Sequence, residues 1–316
     1  MAATEHSTRP DVPEILERER RTRNPVGIAA LVAGVLAVVG GVLPQSIYSN
    51  FPRVYVLDAL RDSAGQSIGR EGLRTAQVLF IHDKAFGLLV VAIAQALTAL
   101  LIAYVLVYLH RAAADRGATT PRVARLLAMI GGAATAVGAL VLQIAVMTEA
   151  SSFASSSDHS TAAAHDALRG GAVVAGSGIG FFGGLSLAAA FVLIAIGAMR
   201  VGLLTRFVGV LGAIVGVLLV LGPATGSSTF IVQSFWLLMA GVLILGRWPT
   251  GVPPAWTSGE AMPWPSQQEI REAKMAARAQ RRGEPPPAPR REAAADPRAE
   301  APSPATSARK KRKRRG

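Results

Sequence analysis

The side chains able to do chemistry in this 316-residue chain are few, and they sit at the ends of apolar runs rather than inside them. Histidines and carboxylates gather in two stretches: His82 with Asp83, then Glu149, Asp158, His159, His165 and Asp166. Those residue types suit zinc or another divalent cation. Their spacing matches no recognised site, because HSTAAAHD sets its histidines six residues apart, off a single helical face. Solvated loop residues explain them, and a metal-dependent enzyme at the outer face ranks last among the functions considered. His82-Asp83-Lys84 reads as a charged helix start at the interface. The chain has no cysteine, which excludes disulfides, thiolate ligands and cysteine nucleophiles. GSGIGFFGG carries G-x-G-x-x-G at Gly178, Gly180 and Gly183, but it follows no strand and the apolar run continues for several turns, so a dinucleotide loop is not expected. No catalytic residue, cofactor or metal is expected.

Inside the apolar runs the polar groups are uncharged: Gln95, Thr98, Tyr104, Thr135, Gln143, Ser177, Ser186, Gln233 and Ser234. Ionisable residues within a membrane mark proton relays and ion paths, and their absence away from the run ends speaks against a proton-coupled transporter. Two roles remain for the uncharged groups. They hydrogen-bond between helices, at about 0.6 kcal/mol each, or they line a path for a small neutral or apolar solute.

The elements that would position these groups are the apolar runs. Residues 170–199 contain no Asp, Glu, Lys, Arg or His. At about 1.5 Å per residue the stretch exceeds a hydrocarbon core of roughly 30 Å. Gly176, Gly180 and Gly184 recur every four residues on one face, a signature of close helix packing, and replacing Gly180 by Leu is expected to disrupt the bundle. Further runs span 25–43, 84–110, 122–147, 206–222 and 230–246. The expected fold is all-α, a polytopic six-helix transmembrane bundle. Asn24 and Pro25 read as the cap and first position of the first helix, which ends before Pro44 and is not a cleaved signal. The loop 45–83, with Tyr48, Phe51, Pro52 and Tyr55, is expected to carry short helices on the membrane surface, and 149–169 to be a polar loop.

Composition agrees with membrane partitioning. The chain is 51% hydrophobic and 17% charged, where a soluble chain carries about 25% charged residues. Abundant arginine, alanine, glycine and proline suggest a GC-rich bacterial source. Arginines cluster before the first run, around Arg111 to Arg125, at Arg200 and Arg206, and from Arg247 onward. By the positive-inside rule both termini are cytoplasmic in a multi-pass protein of the cell (inner or plasma) membrane, with the long first loop dissenting. Residues 1–24 form a cytoplasmic segment. Residues 247–316 form a cytoplasmic Pro/Arg-rich tail, expected to be mostly disordered, with 16 basic against 7 acidic residues and 12 of the 19 prolines. Trp248, Trp256 and Trp264 are placed at headgroup level, and a capping box at Ser266 and Glu269 predicts a helix over 267–282. The chain closes on Arg309, Lys310, Lys311, Arg312, Lys313, Arg314 and Arg315 before a final glycine. That polybasic run suits anionic lipid headgroups, or the phosphates of RNA, or a cytoplasmic protein. No DNA sequence recognition is expected, and a solubilising tail would look the same. A non-catalytic membrane protein with a contact-making tail leads the function hypotheses. A channel or transporter for a small neutral or apolar solute is the alternative.

The order of a basic segment, a first helix, a long outer loop and LTRFVGVLGAIVGVLLVLGP near the end resembles uncharacterised six-helix bacterial membrane proteins known only as domains of unknown function. The segment GRWPTGVPPAWTSGEAMPWPS resembles tails of actinobacterial membrane proteins. Over residues 25–246 the resemblance implies a bacterial origin and this topology, and it brings no activity and no functional residues.

Overall fold

The computed structural model describes residues 11–66, 69, 72–225, 229–249, 251–265 and 267–281. The polybasic run Arg309 to Arg315 and the expected cap Ser266 lie outside them. Every regular element among the described residues is a helix. They are α1 (Val12–Tyr48), α2 (Val56–Ser63), α3 (Thr75–Asp83), α4 (Ala85–Asp115), α5 (Arg122–Ser155), α6 (Thr161–Ala167), α7 (Gly171–Arg200), α8 (Arg206–Thr225), α9 (Thr229–Ile244), α10 (Ala255–Ser258) and α11 (Gln267–Arg281). The described residues from 11 to 264 form one compact unit, and α11 belongs to a second. Four helices, α1, α4, α5 and α7, are long and apolar enough to cross a membrane. The apolar parts of α8 and α9, Arg206–Leu221 and Thr229–Ile244, are shorter. Large apolar side chains face outward along the bundle, among them Ile28, Val32 and Val35 on α1, Phe181 and Phe182 on α7, and Val210 and Ile214 on α8. A bundle with an apolar exterior and internally satisfied backbone suits lipid.

The first helix departs most from the sequence reading. Pro25 does not start it. The helix begins at Val12, has Pro13 in its first turn, and runs through Pro25 and Pro44 to Tyr48. An interior proline costs about 3 kcal/mol in an isolated helix, since it removes a donor and crowds the preceding turn. Tertiary packing offsets that cost. Ile15, Glu19, Val26, Ala30, Ala33 and Ala37 make one buried stripe at helical spacing along α1. Likewise α5 continues through Glu149 to Ser155 and takes in the start of the expected polar loop.

Glycine sets how closely the helices approach. A Cβ on Gly131, Gly176 or Gly183 would lie 2.5 Å from the backbone nitrogen of Leu187, Leu142 or Thr135 respectively, and one on Gly138 would strike the backbone of Gly180. The pairs 131/187, 135/183, 138/180 and 142/176 keep a single antiparallel register between α5 and α7. The packing face expected from Gly176, Gly180 and Gly184 is thus realised unevenly. Gly176 is in tight contact and Gly180 offers its backbone to Gly138, while a Cβ on Gly184 would meet nothing within 4 Å. A second antiparallel register joins α1 to α9, where Gly27 faces Leu245, Gly34 faces Leu238 and Gly41 faces Phe230. Because α9 starts near Gly41, it stops short of the end of α1 at Tyr48.

At that end of the bundle the long loop packs against the 156–161 segment and against its own aromatic residues. Thr75 Oγ1 donates to the His159 carbonyl at 2.6 Å, and the Leu73 amide donates to Thr161 Oγ1 at 3.1 Å. Phe51 packs edge-on against Tyr48 and Phe80, with centroids 5.3 and 5.4 Å away. At the opposite end, residues that were expected to begin a loose tail instead close the bundle. Trp256 is buried, and Trp248 and Trp264 are half-buried.

Candidate functional site

The four long helices and the shorter α8 and α9 do not fill the interior between them. A cavity of about 260 Å³ lies beside the start of α9, lined on α1 by Ala37, Gly40 and Gly41 and on α4 by Gln95, Thr98, Ala99 and Ile102. The other helices add Thr135 and Ala139 (α5), Gly184 and Leu187 (α7), Leu219 (α8), and Phe230 and Gln233 (α9). The gap has a local cause. Small residues from α1, α4, α5 and α7 meet at one level, and Gly184 has no neighbour where its side chain would be. The wall is apolar with a few polar groups, as in small-molecule sites generally.

Four of the uncharged polar residues singled out in the sequence, Gln95, Thr98, Thr135 and Gln233, converge on this cavity. They are not equivalent. Thr98 donates to the Ala94 carbonyl at 2.7 Å and so is satisfied within its own helix. Thr135 Oγ1 is buried without a hydrogen-bond partner. Gln95 is exposed, so the cavity opens at the side of the bundle beside it. Each amide supplies two donors and an acceptor, and the pair can complement a hydroxyl, carbonyl or amide on a neutral molecule. Gln143 stays outside the lining, with its amide nitrogen buried and unpartnered. Ser177, Ser186 and Ser234 donate to the carbonyls of Val173, Phe182 and Ile231 on their own helices. The expected bonds between helices are replaced there by bonds within them, a geometry open to any serine or threonine one turn downstream. Tyr104 lines a different, smaller cavity with Tyr108 and Arg111.

A charged and aromatic knot closes the end of the bundle that carries the start of α1. Arg116 is fully buried and grips Glu19 with two hydrogen bonds, at 2.5 and 2.9 Å. Its remaining donors reach the carbonyls of Ala255, at 3.0 and 2.8 Å, and Ala112, at 2.9 Å. The guanidinium lies 5.4 Å from the centre of the Trp256 ring, Arg23 lies 5.2 Å from it, and Tyr108 stacks on it at 6.0 Å. The turn 201–205 makes this docking possible. Gly202, at φ +80°, turns the chain so that Leu203 and Leu204 present their carbonyls, and the indole N–H groups of Trp256 and Trp264 donate to them at 2.8 Å each. The Met262 amide completes the strap by donating to Val201 at 3.1 Å.

None of these knot residues stood out in the sequence as a site. Glu19 lies in ERERR, where composition marks no single residue as buried. Its position four residues after Ile15 and seven before Val26, on the buried stripe, is the signal that finds it.

The histidines and carboxylates at 82–83 and 149–166 do not assemble. Among the described residues no three of His, Asp and Glu come together as a metal site. His82 and Asp83 are exposed, His159 packs on Phe153 at 5.1 Å, and His165 lies 3.8 Å from its neighbour Asp166. Asp158 is held below the usual carboxylate range by the backbone N–H of Ser160 at 2.9 Å, a local turn contact. The G-x-G-x-x-G stretch is uninterrupted helix within α7.

No protein-family model, no curated protein and no solved structure matches this chain.

Proposed function

We propose that the protein is a non-catalytic, multi-pass protein of the cell membrane that binds a small neutral, largely apolar molecule within its bundle and carries it between the membrane and the cavity. In this reading α1, α4, α5, α7, α8 and α9 all cross the membrane and both termini are cytoplasmic. The observation that carries it is the convergence of Gln95, Thr135 and Gln233 on one cavity, with a buried Thr135 hydroxyl left unpartnered. Such a hydroxyl is costly to bury alone, and a χ1 rotation that turns it into the cavity would let a ligand relieve that cost. The lining holds no ionisable side chain, which favours a neutral solute over an ion. The cavity exceeds the roughly 150 Å³ that admits benzene in an apolar core.

Protein purified in mild detergent and screened by mass spectrometry for retained small molecules tests this directly. A neutral compound retained by the native chain and lost from Gln95→Leu and Thr135→Val, both still folded, is the expected result. Retention unchanged in both variants would remove the cavity from the function. Topology has its own test, since the native chain has no cysteine. Single cysteines at Ser157 and Ser258 should react with a membrane-impermeant thiol reagent from opposite sides.

The tail supports a second reading, contact with anionic lipid, RNA or a cytoplasmic protein, which rests on the sequence Arg309 to Arg315.

A further inference from the structure

Beside the knot runs a second cleft, of about 430 Å³, between the first turns of α1 and the α10 segment. Arg20, Arg23, Asn24, Leu245, Trp256 and Thr257 line it together with Glu19. Its charge is unbalanced. Both Glu19 oxygens are taken by Arg116, and among the described residues no carboxylate forms an ion pair with Arg20 or Arg23. Arg23 is the more telling of the two. Its Nε donates to the Ile244 carbonyl, while its Nη2 is buried with no hydrogen-bond partner. The nearby Glu19 carboxylate is shared with Arg116, so the half-buried Arg23 guanidinium is under-compensated, and a bound anion relieves that cost.

The register of α1 indicates the kind of anion. Arg20, Asn24, Ile28 and Val32 follow one another at four-residue steps on a single exposed stripe, with Ile28 at 55% and Val32 at 44% exposure. A cation comes first, then an amide, then a lipid-facing apolar track. Arg23 and Asn24 also directly precede the apolar run of α1, which fixes the cleft at the depth of headgroups. We infer that the cleft between α1 and α10 binds the phosphate of an anionic glycerophospholipid, held by Arg20 and Arg23, with its acyl chain along Ile28 and Val32. This site is separate from the polybasic tail and independent of the cavity within the bundle.

Native mass spectrometry of the full chain in mixed micelles of phosphatidylglycerol and phosphatidylcholine tests the inference. One phosphatidylglycerol should be retained in preference to phosphatidylcholine, and the preference should fall about fivefold for each arginine removed, in R20Q and then R20Q/R23Q. Arg20 is exposed, so R20Q reports on binding even if replacing Arg23 impairs folding. A full-length chain with Arg309 to Arg315 changed to glutamine should keep the preference. Three results would overturn the inference: a preference unchanged in R20Q/R23Q, a preference abolished by neutralising the tail, or displacement of the lipid by an equal concentration of glycerol 3-phosphate. The last would assign the cleft to a soluble phosphate. None of these readouts involves the cavity, so their failure leaves the proposed function standing.

Discussion

Glu19 and Arg116 show how much a single residue can decide in this bundle. The guanidinium is wholly buried, and its only charge partner among the described residues is Glu19. Replacing Glu19 by Ala leaves that charge uncompensated, and breaking a buried pair from one side costs about 3–5 kcal/mol. Thermal unfolding in detergent should fall steeply for Glu19→Ala. The double variant Glu19→Met with Arg116→Met should recover much of the loss, because neither charge of the pair remains. Equal losses in both would refute the buried-pair account. A second expectation concerns Gly138 and Gly180, which touch each other yet are not interchangeable. A Cβ on Gly138 enters the backbone of Gly180, whereas one on Gly180 reaches Gly138 at an ordinary 3.8 Å. Gly138→Ala should destabilise by about 1–3 kcal/mol through overpacking, and Gly180→Ala should be close to neutral. Comparable melting temperatures for the two alanine variants would show that the α5–α7 approach is looser than described. Sequence spacing pointed to Gly176 and Gly180 as contact residues and included Gly184 by the same rule. Spacing alone cannot tell a glycine that touches a neighbouring helix from one that borders a void.

At the scale of the element, the apolar helices were readable because their composition changes sharply at both ends. The start of α1 was not. Asn24-Pro25 looks like a helix beginning, and only the contacts of Glu19 and Ile15 with the rest of the bundle carry the helix back to Val12. The strap of residues 251–264 was hidden for a related reason. Its prolines and tryptophans suggest a solvated or interfacial tail, but the carbonyls that receive the indole N–H groups exist only once the 201–205 turn has formed. Trp256→Phe should preserve most of the packing and lose the bond to Leu203, at a cost of about 1 kcal/mol. Trp256→Ala also removes the surface on which Tyr108, Arg23 and Arg116 rest, and should cost about 3–5 kcal/mol. Similar unfolding temperatures for the two variants would mean that the ring contributes little beyond its hydrogen bond.

The whole molecule joins a tight half to a loose one. Its α5–α7 seam is held by backbone-to-backbone approach and its α1–α9 seam by leucine and phenylalanine side chains seated on glycines, and the space left between those seams is the cavity. The polar residues around it were visible in the sequence, but their convergence was not, since it depends on the rotation of six helices at once. Gly184→Leu tests the arrangement at this scale. The added side chain enters open space, so the melting temperature should hold or rise, while any molecule retained by the native bundle should be lost. A variant that is less stable and still retains the molecule would place the binding elsewhere.

The strap also gives the chain a birth order. Glu19 and Arg116 are both synthesised early and can meet as soon as α4 has been inserted. Ala255, the carbonyl partner of Arg116, follows 139 positions later. At ordinary elongation rates of about 5–20 residues per second, that is a delay of about 7 to 28 seconds. During the delay the arginine lacks the carbonyl that takes two of its hydrogen bonds, and the carbonyls of Leu203 and Leu204 emerge without their indole donors. A nascent chain that stalls before residue 255 therefore exposes a face that a finished one has sealed, and the last stretch of the unit to be translated is the one that tells complete molecules from incomplete ones.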